Sequence, residues 1–225
     1  MAEEQIRLSA SSLGLMLDCP RCFWLKVVKK IDRPSGPFPS LPGGIDAVMK
    51  KHFDVYRSKG LPPELVGKVD GKLFDDIELI DKWRNWRTGL SVTDQEHNIK
   101  LVAAFDDLLV NDGKFIPFDV KTKGWQPKTD AKDHYQHQLD VYAYVLSKNG
   151  YEVEDYAYLA FYHPEIANGD GSIKFVTTVV KVSTKLDHAE KMIADAVKII
   201  EGKESKPSEK CGFCAWRTLT GFEQR

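Results

Sequence analysis

The residues best suited to chemistry lie in the middle of the chain, where carboxylates and lysines recur within residues 101–123. The Asn-Asp-Gly at 111–113 predicts a tight hairpin turn, because these residues tolerate the positive φ that such a turn requires. On the second strand of this hairpin, Asp119 and Lys121 share one face, and the pairing brings Asp106 alongside them. Two carboxylates held together raise a pKa or require a cation between them. Because their hard oxygen atoms suit Mg²⁺ or Mn²⁺, the stretch predicts a divalent-metal site.

A helix is predicted to follow the hairpin, from Asp133 to Leu146, because apolar residues recur there at every third or fourth position. Gln138 and Tyr142 are four residues apart and therefore share one face of that helix. Taken singly, each piece has an ordinary interpretation: an Asp-x-Lys string is commonly a solvated surface pair, and a helix face commonly has a polar rim. Their succession along the chain favours the functional interpretation.

The succession resembles the PD-(D/E)XK nuclease superfamily, in particular its RecB-like and Cas4-like branch. That family carries an acidic residue on a hairpin, an Asp/Glu-x-Lys on the next strand and a Gln-x-x-x-Tyr on the helix that follows. This sequence has Asp106, then Asp119 and Lys121, then Gln138 and Tyr142, in family order. The resemblance also takes in an N-terminal serine-rich segment and the cysteines, so it covers nearly the whole chain.

The resemblance implies a role for each of these residues. The implied ligands of Mg²⁺ or Mn²⁺ are two carboxylates and one backbone carbonyl: Asp106, Asp119 and Val120. Lys121 would orient or deprotonate the attacking water, and the Gln-Tyr pair of the helix would position the DNA strand. Asp107 is an alternative to Asp106 as the metal-facing acid, and we choose Asp106 because it alone keeps the spacing of the family.

A histidine on an earlier helix is a further candidate metal ligand. The Pro- and Gly-rich stretch 32–44 predicts a loop, and a helix is expected from there to about Ser58. Many RecB-like nucleases carry a metal-binding histidine on the corresponding helix, in a G-x-x-x-H pattern. His52 lies eight residues after Gly44 and departs from that pattern. We therefore interpret His52 as a core or surface histidine and keep metal ligation as the alternative.

All four cysteines fall in two Cys-x-x-Cys pairs near opposite ends of the chain, Cys19 with Cys22 and Cys211 with Cys214. Four thiolates together suit one structural Zn²⁺ ion or an iron–sulfur cluster, and the spacing does not separate the two. Unrelated buried or redox thiols are the alternative to a shared centre. The resemblance favours [4Fe–4S], because Cas4-like relatives join their termini with such a cluster, although they use one N-terminal and three C-terminal cysteines. Either centre would serve stability rather than chemistry.

Further strand and helix patterns complete the predicted fold. Apolar and β-branched runs predict strands near 156–162 and 175–182, and an amphipathic stripe predicts a helix from about Leu186 to Glu201. The expected fold class is α/β and restriction-endonuclease-like, with a short mixed β-sheet flanked by helices. With 225 residues, of which 42% are hydrophobic, the chain suits one domain over 1–225. Its N-terminal (about 6–30) and C-terminal (about 203–225) segments would form an appendage that holds the cysteine centre.

Composition limits how this chain could bind nucleic acid. A formal net charge of −1 excludes a globally positive surface, so DNA contacts must come from local patches. One candidate patch follows the Asp-x-Lys strand and surrounds a tryptophan, although it could equally be a solvated loop: Lys123, Lys128, Lys132 and Trp125. Trp83 and Trp86 could stack on bases or pack in the core. No apolar run of membrane-spanning length and no signal peptide is visible, which predicts a cytoplasmic protein without membrane contact.

These features predict a divalent-metal-dependent DNA nuclease that acts as an exonuclease on single-stranded DNA or DNA ends. DNA repair, recombination and CRISPR-type processing are the expected settings, with a helicase, repair or CRISPR protein as a partner. Two alternatives belong to other classes: a non-catalytic nucleic-acid-binding or scaffold protein, and a metal or redox sensor built on the cysteine centre. The complete series of acids, lysine, glutamine and tyrosine favours the nuclease.

Overall fold

Two β-sheets organise the residues that this computed structural model describes, 5–36 and 40–220. The strands, in chain order, are β1 (Ile6–Ser9), β2 (Lys72–Leu73), β3 (Leu90–Asp94), β4 (Ile99–Ala103), β5 (Asp107–Asn111), β6 (Lys114–Thr122), β7 (Tyr156–Ala167) and β8 (Ile173–Ser183). The smaller sheet has the order β1-β4-β3, with β1 parallel and β3 antiparallel to β4. The larger sheet has the order β2-β5-β6-β7-β8, and its neighbours are antiparallel except for the parallel pair β6 and β7. Both sheets are therefore mixed, and the chain passes from β4 of the smaller sheet into β5 of the larger one.

Helices lie on both faces of the larger sheet. The helices are α1 (Ala10–Asp18), α2 (Pro20–Lys29), α3 (Ser40–Arg57), α4 (Ile77–Arg84), α5 (Gln136–Lys148), α6 (Leu186–Glu201) and α7 (Gly212–Thr220). On one face, Phe53 of α3 meets Phe118 of β6 edge-on, with ring centroids 5.6 Å apart. On the other face, Leu139 of α5 packs with Leu159 and Phe161 of β7. This arrangement confirms the predicted fold class.

Strand alternation in β6 decides which side chains face which helix. Ile116 and Phe118 are fully buried in the core beneath α3. Asp119 lies one position further and therefore faces the opposite side, where it meets α5. Packing of the apolar positions against α3 thus aims the carboxylate at the helix that carries the Gln-Tyr pair.

The N-terminal helices belong to the main core. Ser9 caps α1 in a reciprocal pair with Ser12, in which each backbone N–H donates to the other hydroxyl, at 2.7 and 3.3 Å. Leu13 of α1 and Phe23 of α2 are fully buried in the same cluster as Val141 of α5. The segment that carries the first cysteine pair is therefore packed against the helix that faces the candidate site.

Three elements differ from the sequence-based prediction. The stretch 101–110 is not one strand: it breaks between β4 and β5, because Ala104–Asp106 leaves the smaller sheet before the chain enters the larger one. Helix α3 begins at Ser40, inside the stretch predicted to be a loop. Its proline at position 42 is tolerated there because the first N–H groups of a helix lack intrahelical partners. A 3₁₀ turn at Ala131–Tyr135 precedes α5 where a continuous helix was expected.

Candidate active site and cysteine centre

The β5–β6 hairpin brings the two candidate metal-binding acids together. Asp112 and Gly113 form its two-residue turn with φ values of 46° and 84°, as the sequence predicted. The register pairs Asp107 with Phe118, so the preceding residue, Asp106, lies opposite Asp119. Asp106 Oδ2 accepts a hydrogen bond of 3.0 Å from the backbone N–H of Val120, which fixes its side chain beside β6.

Asp119 is the most unusual group of the site. It is completely buried, and Gln138 Nε2 donates to its Oδ1 at 2.9 Å. Its Oδ2 accepts no well-aligned hydrogen bond, and the Lys121 ammonium lies 2.6 Å from it. Burial, and next the nearby charge of Asp106, raises the pKa of the Asp119 carboxyl from 3.8 to about 7. A buried carboxylate oxygen with no well-aligned hydrogen bond, beside a second acid, fits a hard divalent cation shared by the two.

Lys121 extends from the same face of β6 as Asp119. Its ammonium lies 4.8 Å from the centre of the Tyr135 ring. Burial lowers the pKa of Lys121, but the carboxylates of Asp119 and Asp106 outweigh that effect, so the pKa is raised. Lys121 is therefore held as a cation next to the two acids.

Gln138 and Tyr142 form a relay from Asp119 to the backbone that precedes Asp106. Gln138 Nε2 also lies 2.7 Å from the Tyr142 hydroxyl, which donates to the carbonyl of Ala104 at 2.7 Å. Burial raises the pKa of Tyr142 well above its usual value, so the hydroxyl remains a donor. The pair that the sequence places on one face of a helix thus links both acids through α5.

Asp107, the alternative acid, has a different environment. It is fully buried, and its carboxylate accepts hydrogen bonds from Arg57 at 2.8 and 3.1 Å and from Arg84 at 2.8 Å. Arg84 Nε also donates to the backbone carbonyl of Asp106 at 3.1 Å. The carboxylate of Asp107 is therefore engaged by two guanidinium groups, one of which also binds the adjacent backbone carbonyl. Asp106 remains as the acid that faces Asp119.

Sequence reasoning missed both arginines and one lysine. Arg57 follows Phe53 by one helical turn, and a cation on an otherwise apolar helix face was the available signal. Lys50 of α3 lies with its ammonium 3.4 Å from Asp106 Oδ1 and 2.8 Å from Asp46 Oδ2. Nothing in the motif pattern marks Lys50, because its pairing with Asp46 resembles any surface pair four residues apart.

His52 makes its described contacts elsewhere. Its Nε2 lies 2.8 Å from Glu64 Oε1, which also accepts a hydrogen bond of 3.1 Å from the Tyr162 hydroxyl. Its ring packs against those of Phe53 and Tyr56. These contacts suit the interpretation of a packed histidine, and the side chain of α3 that reaches Asp106 is a lysine.

The candidate DNA-contacting residues follow β6 in a loop and a 3₁₀ turn. Lys123 Nζ donates to the Tyr135 hydroxyl at 3.0 Å, so it lies beside the ring that Lys121 also approaches. Trp125 is 78% exposed, and the two remaining lysines are also exposed: Lys128 and Lys132. Trp83 is buried in the core, whereas Trp86 is 61% exposed.

The four cysteines meet in one buried cluster. Cys22 Sγ lies 3.7 Å from Cys211 Sγ and 3.6 Å from Cys214 Sγ, and Cys19 Sγ lies 3.8 Å from Cys214 Sγ. All four sulfur atoms lie within 4.8 Å of one another, and none forms a disulfide. The two Cys-x-x-Cys pairs thus form a single tetrathiol site that could hold a zinc ion or an iron–sulfur centre.

Two of the four cysteine sulfur atoms accept hydrogen bonds that favour the thiolate form. Arg33 Nη2 donates to Cys211 Sγ at 3.5 Å, and the Ser208 N–H donates to Cys19 Sγ at 3.4 Å. Burial raises the pKa of the Cys19 thiol, but hydrogen bonds, with the backbone bond from Ser208 first among them, outweigh it and lower the pKa to about 7. Burial raises the pKa of the Cys22 and Cys214 thiols, so these two favour the protonated form while no cation is bound. Binding of a metal would supply the charge that their deprotonation requires.

A mixed α/β fold that brings paired carboxylates, a strand lysine and a glutamine–tyrosine helix together defines a class of metal-dependent nucleases. A family model for the PD-(D/E)XK nuclease superfamily matches residues 45–219, and the chain belongs to that superfamily. Its members hydrolyse phosphodiester bonds with divalent metals. The matched region contains the candidate catalytic residues and the second cysteine pair, whereas Cys19 and Cys22 lie before it.

Two further findings accompany this assignment. No curated protein matches the chain at a significant level. Among the described residues, no helix combines the length and apolar character needed to cross a bilayer.

Asp119 predicts an unusual dependence of stability on pH. Between the ordinary pKa of 3.8 and the folded-state value of about 7, the folded chain holds a proton that the unfolded chain releases. Without divalent metal, this group therefore makes the protein less stable as pH rises from about 4 to about 7. Asp119→Asn does not titrate, so we expect its melting temperature to exceed that of the wild type above about pH 7 and the difference to shrink toward about pH 4. Thermal melts without added Mg²⁺ or Mn²⁺ measure this difference, and a constant difference at all pH values would contradict the raised pKa.

Proposed function

We propose that this protein is a divalent-metal-dependent DNA nuclease of the RecB-like and Cas4-like branch. We further propose that it acts as an exonuclease on single-stranded DNA or DNA ends. The observation that carries the proposal is the pair of carboxylates, with Asp119 fully buried opposite Asp106 and with its Oδ2 accepting no well-aligned hydrogen bond although the Lys121 ammonium lies 2.6 Å away. Burial of Asp119 close to a second acid disfavours its charged form even beside Lys121, and binding of a divalent cation would relieve that cost.

The proposed roles follow from the contacts of each residue. Asp106, Asp119 and the Val120 carbonyl would hold Mg²⁺ or Mn²⁺, which when bound polarises the phosphodiester and lowers the pKa of water. Lys121, as a cation beside both acids, would orient the attacking water and neutralise charge on the phosphate. Gln138 would hold Asp119 in place through its 2.9 Å hydrogen bond.

DNA would approach along the loop that follows β6. Lys123 is anchored on Tyr135 next to Lys121, and Trp125 presents a largely exposed ring that a base can stack on. Lys128 supplies an exposed cation for the phosphate backbone. These few cations form a small patch on a chain whose net charge is −1. A long duplex would need a more extended positive surface, so the patch suits a single strand or a DNA end better.

For the cysteine centre we propose a single tetrahedral Zn²⁺ ion in place of the [4Fe–4S] cluster that the resemblance favours. With Zn–S bonds of about 2.3 Å, the sulfur atoms of a regular tetrahedron lie roughly 3.8 Å apart. Three of the separations here are 3.6, 3.7 and 3.8 Å, and all four sulfur atoms lie within 4.8 Å of one another. In a four-iron cluster each thiolate binds a different iron, so the sulfur atoms must stand further apart than four that share one ion.

The proposal extends to domain organisation. We infer one domain over 1–225, in which the cysteine-bearing terminal segments are joined to the nuclease core. Leu13 and Phe23 support this inference, because both are fully buried against helices of that core.

The test is cleavage of end-labelled single-stranded DNA with Mg²⁺ or Mn²⁺, for protein purified without oxygen and with its cysteine centre loaded. We expect metal-dependent cleavage by the wild type and a loss of about 10²- to 10⁴-fold for Lys121→Ala, because a group that moves protons or neutralises charge at the reaction centre is removed. The matched control is Lys174→Ala, which removes an exposed lysine paired with Glu165 on the β7–β8 hairpin and should leave the rate unchanged.

The product ladder gives the polarity and separates exonuclease from endonuclease action. Absence of cleavage by the wild type with either metal would contradict the nuclease proposal. DNA binding that Lys121→Ala leaves unaffected would then indicate a non-catalytic binding protein.

A further inference from the structure

Each of the two candidate metal-binding acids has its own lysine. Lys121 Nζ lies 2.6 Å from Asp119 Oδ2, and Lys50 Nζ lies 3.4 Å from Asp106 Oδ1. The negative charges of the two acids are therefore partly balanced by the positive charges of the two lysines when no metal is bound. A divalent cation that enters between the carboxylates must displace at least one ammonium group, because a unit charge a few ångströms from a divalent ion is strongly repelled.

The two lysines differ in where they can go. Lys121 is 20% exposed, extends from a central strand and is flanked by the Tyr135 ring. Lys50 already has a second acidic partner, because Asp46 lies one turn earlier on the same helix with its Oδ2 at 2.8 Å. Asp46 is also 40% exposed, so Lys50 can keep this ion pair at the surface when it leaves Asp106.

We propose that Lys50 is a resident counter-ion of Asp106 that divalent metal displaces from Asp106 and leaves paired with Asp46 alone, so that the Lys50–Asp46 pair sets the metal affinity of the active site. This inference rests on the proposed metal-binding role of Asp106 and Asp119. Asp46 acts as the receiver of the lysine and not as a metal ligand. Lys50 is thus a positioning residue that lowers metal affinity, in contrast to Lys121, which serves the reaction.

The test measures the dissociation constant of Mn²⁺ by titration calorimetry, on protein whose cysteine centre is loaded. In Lys50→Met the competing charge is gone, and we expect Mn²⁺ to bind about tenfold more tightly or better. Lys50→Arg keeps a cation at the position and should bind Mn²⁺ like the wild type. Lys51→Met is the matched control, because Lys51 is the next residue of α3 and is exposed. Its affinity should stay within about twofold of the wild type.

A second arm separates the roles of Asp46. Asp46→Asn removes the receiver of the lysine, so we expect several-fold weaker Mn²⁺ binding in the wild-type background and no change in the Lys50→Met background. Equal weakening in both backgrounds would make Asp46 a ligand and overturn the inference. Asp46 is half-exposed, so its replacement tests the proposal even where Lys50→Met does not fold.

The outcomes also separate this inference from the proposed function. If the wild type and Asp106→Asn bind Mn²⁺ equally poorly, the metal site itself is absent and both proposals fail. If Asp106→Asn abolishes Mn²⁺ binding while Lys50→Met leaves the affinity unchanged or weaker, the metal site stands and the counter-ion role of Lys50 is wrong.

Discussion

Asp119→Asn is expected to lower the rate of DNA cleavage by about 10²- to 10⁴-fold and to abolish Mn²⁺ binding at the site. The amide keeps the shape of the side chain and one oxygen for Gln138, but it removes the charge that attracts the metal. It also places an N–H₂ group where the carboxylate oxygen lies 2.6 Å from the Lys121 ammonium, so no negative charge remains there for a cation. The same substitution should raise stability at neutral pH, because the buried charge costs free energy in the metal-free protein. Loss of activity together with a gain of stability is the signature of a functional residue rather than a structural one.

Single-turnover cleavage of end-labelled single-stranded DNA, with calorimetry for Mn²⁺, measures both effects. The control is Asp112→Asn, the same substitution in the turn of the same hairpin. Asn tolerates the φ of 46° that Asp112 adopts, and the side chain is exposed, so cleavage should match the wild type. Retained cleavage in Asp119→Asn would show that the reaction takes place at other carboxylates.

Cys22→Ser is expected to empty the cysteine centre and to destabilise the protein strongly. A metal that binds only the folded chain adds about 4 kcal/mol to stability when present at a thousandfold excess over its dissociation constant. Removal of one thiolate should therefore reduce the free energy of unfolding by about that amount. Cleavage per folded molecule should be unchanged, because the centre holds the fold and takes no part in the reaction.

Metal analysis and denaturant unfolding provide the measurement. The wild type should contain about one zinc ion per chain. It should show no visible absorption, because Zn²⁺ has a filled d shell and the site would contain no iron. Ala215→Ser is the control, because it introduces a hydroxyl next to Cys214 at an exposed position of α7 and leaves every thiolate in place. Iron, sulfide and visible colour would contradict zinc and restore the iron–sulfur assignment. Loss of cleavage in folded Cys22→Ser would instead indicate that the cysteine centre controls the active site, as in a metal or redox sensor.

Local signals made much of the site predictable. The turn at Asp112 and Gly113 follows from the backbone freedom of its residues, and the turn fixes the register that puts Asp106 opposite Asp119. Strand alternation then predicts that Asp119 and Lys121 share a face, as their 2.6 Å separation confirms.

What escaped prediction depends on contacts between distant parts of the chain. Asp106 and Asp107 are neighbours with the same chemistry, and they differ only because Arg57 and Arg84 come from two other helices to bind Asp107. Lys50 reaches Asp106 across a similar gap in sequence. No local propensity encodes such contacts, since they arise when α3 and α4 pack beside β5.

The sulfur separations were likewise beyond the sequence. Two Cys-x-x-Cys pairs predict a common centre, and the four sulfur atoms do meet. Whether they meet closely enough for one ion depends on how the helices after Cys19 and after Cys211 dock together. A resemblance to relatives with a different arrangement of cysteines could not supply that distance.

The position of the cysteine centre also decides how the molecule carries mechanical tension. Tension applied between the segment before Cys19 and the segment after Cys214 passes through β1 and α1 on one side and through α7 on the other. It would then reach Cys19 and Cys214, whose sulfur atoms are 3.8 Å apart. With an ion in place, the tension passes directly between these residues through metal–thiolate bonds, and the sheet that holds Asp106 and Asp119 lies outside the path of the force. Without the ion, the same force would be borne by the hydrogen bonds and packing of the residues between Cys19 and Cys214, which include the sheet. A metal bound by the cysteines would therefore protect the nuclease core from mechanical unfolding.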